Sequence, residues 1–288
     1  MQSSRVSSGA VVDNPEASVF YEAMQAQEAL KAWFENCPGA LVAFSGGVDS
    51  SLVAYLARLH LGAQKCIAVI SASPSLKASE LELARDFAQE HEIPLRVILT
   101  DELSKPDYFN NPANRCYTCK HTLYDAISSL RTQFPGWWIL NGTNTDDHGD
   151  YRPGLQAAQE FSVHAPLAAC ELNKDDVRTL AEHFGLRCWD KPASPCLASR
   201  IPYGERITLE KLKAVEAAEG LLYAEGFPVN RVRHLGRTAR IEVPTEEVRT
   251  LQTKREPIEA ALRTIGFSQV EIDGEGFVSG KLNRALQA

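Results

Sequence analysis

Short apolar runs alternate with longer stretches of helical period through the first two thirds of the chain. Val19, Phe20, Met24, Ala29, Leu30 and Trp33 recur at helical spacing and predict an amphipathic helix over 18–34. Ala40-Leu41-Val42 then reads as a buried strand, 50–60 as a helix, 66–71 (Cys-Ile-Ala-Val-Ile-Ser) as a second buried strand and 79–91 as a helix. The same alternation continues with a strand at 94–100, a helix at 120–134 and a strand at 137–140. Short apolar strands alternating with helices of this length predict an α/β fold, a parallel sheet with helices on both faces. Ligands of such sheets bind at the carboxyl ends of the strands, where Ser45-Gly46-Gly47 and Gly142-Thr143-Asn144 both stand.

The pattern changes after 190–204, a turn-rich stretch holding Pro192, Pro195, Pro202 and Gly204. A helix over 208–225 carries Leu209, Leu212, Val215, Ala218 and Leu222 on one face. Strands at 230–235 and 239–243 flank Gly236, and a helix over 245–265 precedes a last strand at 269–272. Helices against a small, mostly antiparallel sheet make a C-terminal α+β domain. The expected divisions are a disordered leader at 1–17, the α/β domain at 18–200 and the smaller domain at 201–288.

Composition narrows the class. With 44% hydrophobic and 23% charged residues in 288, the chain matches ordinary globular proteins. No apolar run approaches the roughly 18–20 residues of a membrane span, so no membrane partner is expected and the cytoplasm is the default location. A net charge of −7 argues against a nucleic-acid partner bound chiefly through phosphates. Seven cysteines, an odd number with no secretory signal, point to thiols, ligands or a nucleophile rather than a disulfide framework.

The stretch Ser45-Gly46-Gly47-Val48-Asp49-Ser50-Ser51 supplies the first chemistry. Strand, Ser/Gly turn and helix N-terminus together form an anion site from backbone N–H groups and the positive end of a helix dipole. Adjacent glycines let a ligand approach the backbone, and three hydroxyls can donate to phosphate oxygens. No Gly-Lys-Ser/Thr closes the loop and no third glycine follows at dinucleotide spacing. Asp49 suits either Mg²⁺ held against a pyrophosphate or a helix N-terminal cap. Asp146 and Asp147 fit caps and turns as well as a place at the substrate.

Cys116 and Cys119 form a C-x-x-C just before the helix expected at 120–134. They support four readings, incidental thiols, a redox pair, half a zinc site or part of an iron–sulfur site, of which a metal site is favoured over incidental thiols. Cys196 lies in a loop stiffened by Pro192 and Pro195, with Arg200 supplying positive charge. Arg231 and Arg233 alternate along a strand and so share one face, either a solvated edge or a bidentate grip on phosphate. Cys37, Cys66, Cys170 and Cys188 read as structural thiols.

The Ser-Gly-Gly-x-Asp-Ser loop resembles the pyrophosphate (PP) loop of ATP pyrophosphatases such as GMP synthetase, NAD synthetase and tRNA thiolation enzymes. Four segments together resemble the LarE family in particular. These are the loop, Gly142-Thr143-Asn144-x-Asp146-Asp147 with Tyr151-Arg152-Pro153-Gly154, Lys191-Pro192-Ala193-x-x-Cys196-Leu197-Ala198-Ser199-Arg200, and Arg231-Val232-Arg233. The resemblance spans 27 to the C-terminus and implies an adenine nucleotide alpha hydrolase-like fold. It implies ATP-dependent sulfur insertion into pyridinium-3,5-biscarboxylic acid mononucleotide for nickel-pincer nucleotide synthesis, with ATP and Mg²⁺ at Ser45, Gly46, Gly47, Asp49, Ser50, Ser51, Gly142 and Thr143. Arg200, Glu219, Arg231, Arg233 and Glu242 then bind the nucleotide substrate. One form of the family sacrifices the sulfur of the cysteine matching Cys196; another holds a [4Fe-4S] cluster on three cysteines. Cys116, Cys119 and Cys196 favour the cluster form, fed by a separate sulfide source, in a homo-oligomer built from dimers, with a hexamer among the forms. A tRNA thiolase, an amidating synthetase and a non-catalytic nucleotide-binding module are the rival readings.

Overall fold

The computed structural model describes residues 15–149, 153–278 and 281–286. The first fourteen residues of the expected leader, together with Tyr151 and Arg152, lie outside the described residues. In order, the elements are α1 (Pro15–Glu35), β1 (Ala40–Ala43), α2 (Val48–Leu61), β2 (Cys66–Ser71), α3 (Ala78–Glu90), β3 (Leu95–Ile98), α4 (Pro106–Phe109), α5 (Arg115–Arg131) and β4 (Trp138–Leu140). There follow α6 (Gly154–Glu160), α7 (Pro166–Ala169), α8 (Lys174–His183), α9 (Leu209–Ala224), β5 (Arg231–Leu235), β6 (Thr238–Glu242), α10 (Val248–Thr253), α11 (Arg255–Ile265) and β7 (Gln269–Ile272). The first helix therefore begins at Pro15, inside the stretch expected to be leader.

The larger sheet runs β3-β2-β1-β4, with every neighbouring pair parallel. Strand side chains alternate between faces, and β1 shows how this builds two cores. Ala40 and Val42 pack into one cluster with Leu30 and Phe34 of α1, Leu52 and Leu56 of α2, and Val177 and Leu180 of α8. Leu41 and Ala43 pack on the opposite face with Tyr124 and Ile127 of α5 and Ala157 of α6. The parallel sheet with helices on both faces is thus present.

The smaller sheet runs β5-β6-β7, covered by α9, α10 and α11 through Leu222, Leu251 and Leu262. The expected antiparallel character is half right: β5 and β6 are antiparallel, but β6 and β7 are parallel. The single helix expected over 245–265 is two helices broken at Lys254, whose ammonium turns back to the Glu225 carbonyl at 2.7 Å. A separate apolar cluster joins the two domains, with Leu197, Ala198 and Ile201 packed against Tyr108, Leu212 and Val215. The Cys196 segment is therefore anchored at the junction.

Candidate active site

In the larger sheet β2 and β3 lie on one side of β1 and β4 on the other, so the carboxyl ends of β1 and β4 form a topological switch point. A cavity of about 490 Å³ opens there. Ser45, Asp49 and Ser50 line it from one side, Gly142 and Thr143 from another, and Cys116 and Lys120 from α5.

Local geometry explains the loop. Gly46 has φ 72°, where a side chain is strained, and a Cβ there would also stand 3.3 Å from Cβ of Ala84. The Ser45 N–H donates to Ser50 Oγ at 3.1 Å, and Ser50 Oγ donates to the Gly47 carbonyl at 3.1 Å. Helix α2 starts at Gly47 without a side-chain cap, so its first-turn N–H groups and positive dipole end are available to an anion. Ser51 differs from the other loop hydroxyls: it is buried beside the Cys188 thiol and does not line the cavity.

Asp49 is a first-turn residue rather than the cap. Its Oδ1 accepts from Asn144 Nδ2 at 2.9 Å and its Oδ2 from Lys174 Nζ at 2.6 Å. Lys174 escaped the sequence reading, although Asn173 and Asp176 form a capping box that announces α8. Asp146 adds to that helix start by accepting the Lys174 N–H at 2.9 Å, and Asp147 accepts from the Asn144 N–H at 3.1 Å. Both acids therefore serve as turn and cap groups here. Gly142 permits the close approach of the β4 end to α2, since a Cβ there would lie 2.6 Å from the Ser50 backbone nitrogen.

Cys116 and Cys119 lie in the first turn and a half of α5, which begins at Arg115 rather than after them. None of the seven cysteines is in a disulfide; Cys116 and Cys196 are exposed and Cys119 is half-buried. Burial pushes the Cys119 thiol up to about 12, and the charges of Cys196, Glu102 and Cys116 add to this against Lys120. The three thiols therefore share one electrostatic neighbourhood. Among the described residues, no three Cys, His, Asp or Glu side chains are drawn together tightly enough to hold a single metal ion. Burial alone would lower Lys120, but Tyr124 and the three thiols outweigh it and favour its ammonium form. Asn111, buried and at φ 56°, ties the two thiol segments together. It donates to the Ile201 and Pro202 carbonyls at 3.2 and 2.6 Å and accepts from Arg115 at 2.7 Å. By contrast Cys37 and Cys66 are buried, burial raising both and Cys66 to about 11, as expected of inert thiols.

The five residues expected around the nucleotide substrate come together at the domain junction. Arg200 and Glu219 are buried and paired at 2.7 and 3.2 Å, and Lys77 approaches the same carboxylate at 2.5 Å. Burial tends to raise Glu219, but Arg200 and Lys77 hold it below its usual value. Arg233 pairs with Glu242 at 3.0 and 2.8 Å and reaches the Ser199 carbonyl at 2.9 Å. Arg231 instead lies over the Phe277 ring, 4.1 Å from its centroid. Burial and the neighbouring charges of Arg200 and Arg233 depress Arg231 to about 10. Arg200 and Arg231 line an interdomain cleft of about 640 Å³, which also takes in Lys191 and Ser194.

Residues 27–106 match the family described as NAD synthase. A pyridinium-3,5-bisthiocarboxylic acid mononucleotide synthase from Lactiplantibacillus plantarum is 35% identical over 257 residues, covering 89% of this chain and 93% of that protein. The chain belongs to the LarE family. An uncharacterized protein from Synechocystis is 43% identical over 90% of this chain and 97% of its own length. A glutamine-hydrolysing GMP synthase component from Thermoplasma acidophilum is 28% identical over 62% of this chain and 61% of its own. As a LarE-family protein with a PP-loop, the chain is an ATP-dependent enzyme. Among the described residues, no helix is long and apolar enough to cross a membrane.

Proposed function

We propose that this enzyme uses ATP to place sulfur in a carboxylate of pyridinium-3,5-biscarboxylic acid mononucleotide, for nickel-pincer nucleotide synthesis. The observation that carries the reading is that the pyrophosphate loop and Cys116 line one cavity, with Pro195, the neighbour of Cys196, at its wall. A substrate carboxylate oxygen attacks the α-phosphorus of ATP, the bond to pyrophosphate breaks, and an acyl adenylate forms. Sulfide sulfur then attacks the carboxyl carbon and AMP leaves with the former carboxylate oxygen.

The chain's own groups have separable roles. First-turn N–H groups of α2 hold the departing pyrophosphate, and the Ser45 and Ser50 hydroxyls, bonded to each other and to the Gly47 carbonyl, shape the loop around it. Asp49, fixed by Asn144 and Lys174, keeps a second lone pair on each oxygen for the Mg²⁺ that accompanies the nucleotide. Gly142 and Thr143 wall the same cavity. At the junction, Glu219 and Glu242 fix Arg200 and Arg233, and Arg231 presents its guanidinium to the phosphate of the mononucleotide.

The donor chemistry suits a [4Fe-4S] cluster, since Cys116, Cys119 and Cys196 are three thiols in one electrostatic neighbourhood. Three thiolates would leave one iron without a protein ligand, and that site supplies a place for transferable sulfide. The sulfur is then catalytic rather than drawn from Cys196, with an outside sulfide source, in a cytoplasmic homo-oligomer. Anaerobic assay of pyrophosphate release tests the reading. Release should require both MgATP and the biscarboxylic mononucleotide, and sulfide should convert the adenylate. Turnover with ammonia in place of sulfide would favour amidation, and turnover on tRNA would favour a thiolase.

A further inference from the structure

The two cavities are separated by one short piece of chain. Lys191 and Ser194 line the interdomain cleft, whereas Pro195 lines the nucleotide cavity, and Cys196 follows at once. What fixes this partition is the Lys191 side chain. Its ammonium donates to the Gly46 carbonyl at 3.0 Å and to Glu80 Oε2 of α3 at 2.6 Å. Both charges of the pair are mostly shielded, 19% and 15% exposed, which makes the contact more than a solvated surface pair. The backbone is held as well: Arg178 of α8 donates to the carbonyls of Trp189 at 2.7 Å and Lys191 at 3.0 Å. At the far end the Leu197 N–H donates to the Ser75 carbonyl at 2.8 Å, and Arg200 reaches the Pro195 carbonyl at 2.7 Å.

The segment is thus pinned at both ends, and its upstream pin is a carbonyl of the pyrophosphate loop itself. Gly46 is the loop residue at positive φ, and its carbonyl belongs to the same short turn as the N–H groups that face an anion. Resting on the sulfur-transfer reading, we infer that Lys191 is a positioning residue that couples nucleotide occupancy of the loop to the placement of the Cys196 segment. It touches no reacting atom. Its effect is to bring the thiol segment into register when, and only when, the loop holds its phosphates.

Amide hydrogen exchange on the intact, anaerobically purified enzyme tests the coupling without requiring sulfur chemistry. In the wild type, MgATP should slow exchange in peptide 43–51 and also, by about three-fold or more, in peptide 190–199. In K191M, protection of 43–51 should persist and protection of 190–199 should be lost; K191R, which can still meet both acceptors, should restore it. E80Q should give an intermediate response. No MgATP response of 190–199 in the wild type, or an equal response in K191M, would overturn the inference. Loss of protection in both peptides with a raised KM for MgATP would also overturn it, making Lys191 a nucleotide ligand. Where the proposed activity is present, thiocarboxylate formed per pyrophosphate released should fall about ten-fold in K191M, a loss of about 1.4 kcal/mol in the second step. A wild type that releases no pyrophosphate would count against the functional reading and leave the exchange result to decide the coupling.

Discussion

Replacing Glu219 by Gln tests the electrostatic centre of the domain junction. The carboxylate is 2% exposed, accepts from Arg200 at 2.7 and 3.2 Å, from Lys77 at 2.5 Å, and from the Val232 N–H at 3.1 Å. Arg231 and Arg233 stand close enough to contribute to the same field. Gln keeps the shape but removes the charge, so Arg200 and Lys77 lose their compensation while Arg200 remains 2% exposed. Breaking a buried pair by neutralising one partner costs about 3–5 kcal/mol. For a protein of this size each kcal/mol moves Tm by about 2–4 °C, so the expected fall is on the order of 10 °C. Urea unfolding at pH 7 and calorimetry read this directly. The pH dependence adds a sign. Glu219 titrates below its usual value, so its contribution is present above about pH 4.3 and is lost as pH falls through the folded value. The gap between wild type and E219Q should therefore narrow in acid. A gap under about 1 kcal/mol at pH 7 would place the pair in the class of solvated surface contacts and refute the argument.

Gly142→Ala should raise KM for MgATP and cost about 1–3 kcal/mol of stability, because its Cβ meets the rigid Ser50 nitrogen at 2.6 Å; binding and urea unfolding check both. Arg231→Ala should raise KM for the mononucleotide about 10–100-fold with KM for MgATP unchanged, read by steady-state kinetics, since its guanidinium has no carboxylate mate among the described residues while Arg233 is taken by Glu242. Cys116→Ser should lower bound iron and acid-labile sulfide in anaerobic protein, and a peptide map after turnover should show Cys196 intact; dehydroalanine at Cys196 would contradict the cluster reading.

The geometry of the Ser/Gly loop in the candidate site was legible because its signal is local. The Ala40–Ala43 strand, the Ser45 to Ser51 loop and the helix after it are contiguous, and backbone geometry at Gly46 follows from residue type. Lys174 was missed because its contact with Asp49 closes across 125 residues, although the Asn173 capping box could have marked its helix. The pairing of Arg200 and Arg233 with Glu219 and Glu242 could not be read from spacing. Glu219 occupies an apolar-faced helix position that turns inward only because two domains meet there. The same holds for β6 and β7, whose parallel register depends on where α11 returns the chain. The three thiols do share one neighbourhood, but the helix boundary beside them was misplaced: Arg115, buried and bonded to Asn111, starts α5 ahead of Cys116.

The most direct measurement is mass spectrometry of the nucleotide after anaerobic incubation with MgATP, the biscarboxylic mononucleotide and sulfide labelled with a heavy isotope. The account predicts a product with sulfur in place of one carboxylate oxygen, carrying the labelled sulfur over repeated turnovers, with AMP and pyrophosphate in equal amounts. Unlabelled sulfur in a single-turnover product would contradict catalytic use of sulfide, and an unchanged nucleotide would contradict sulfur transfer altogether.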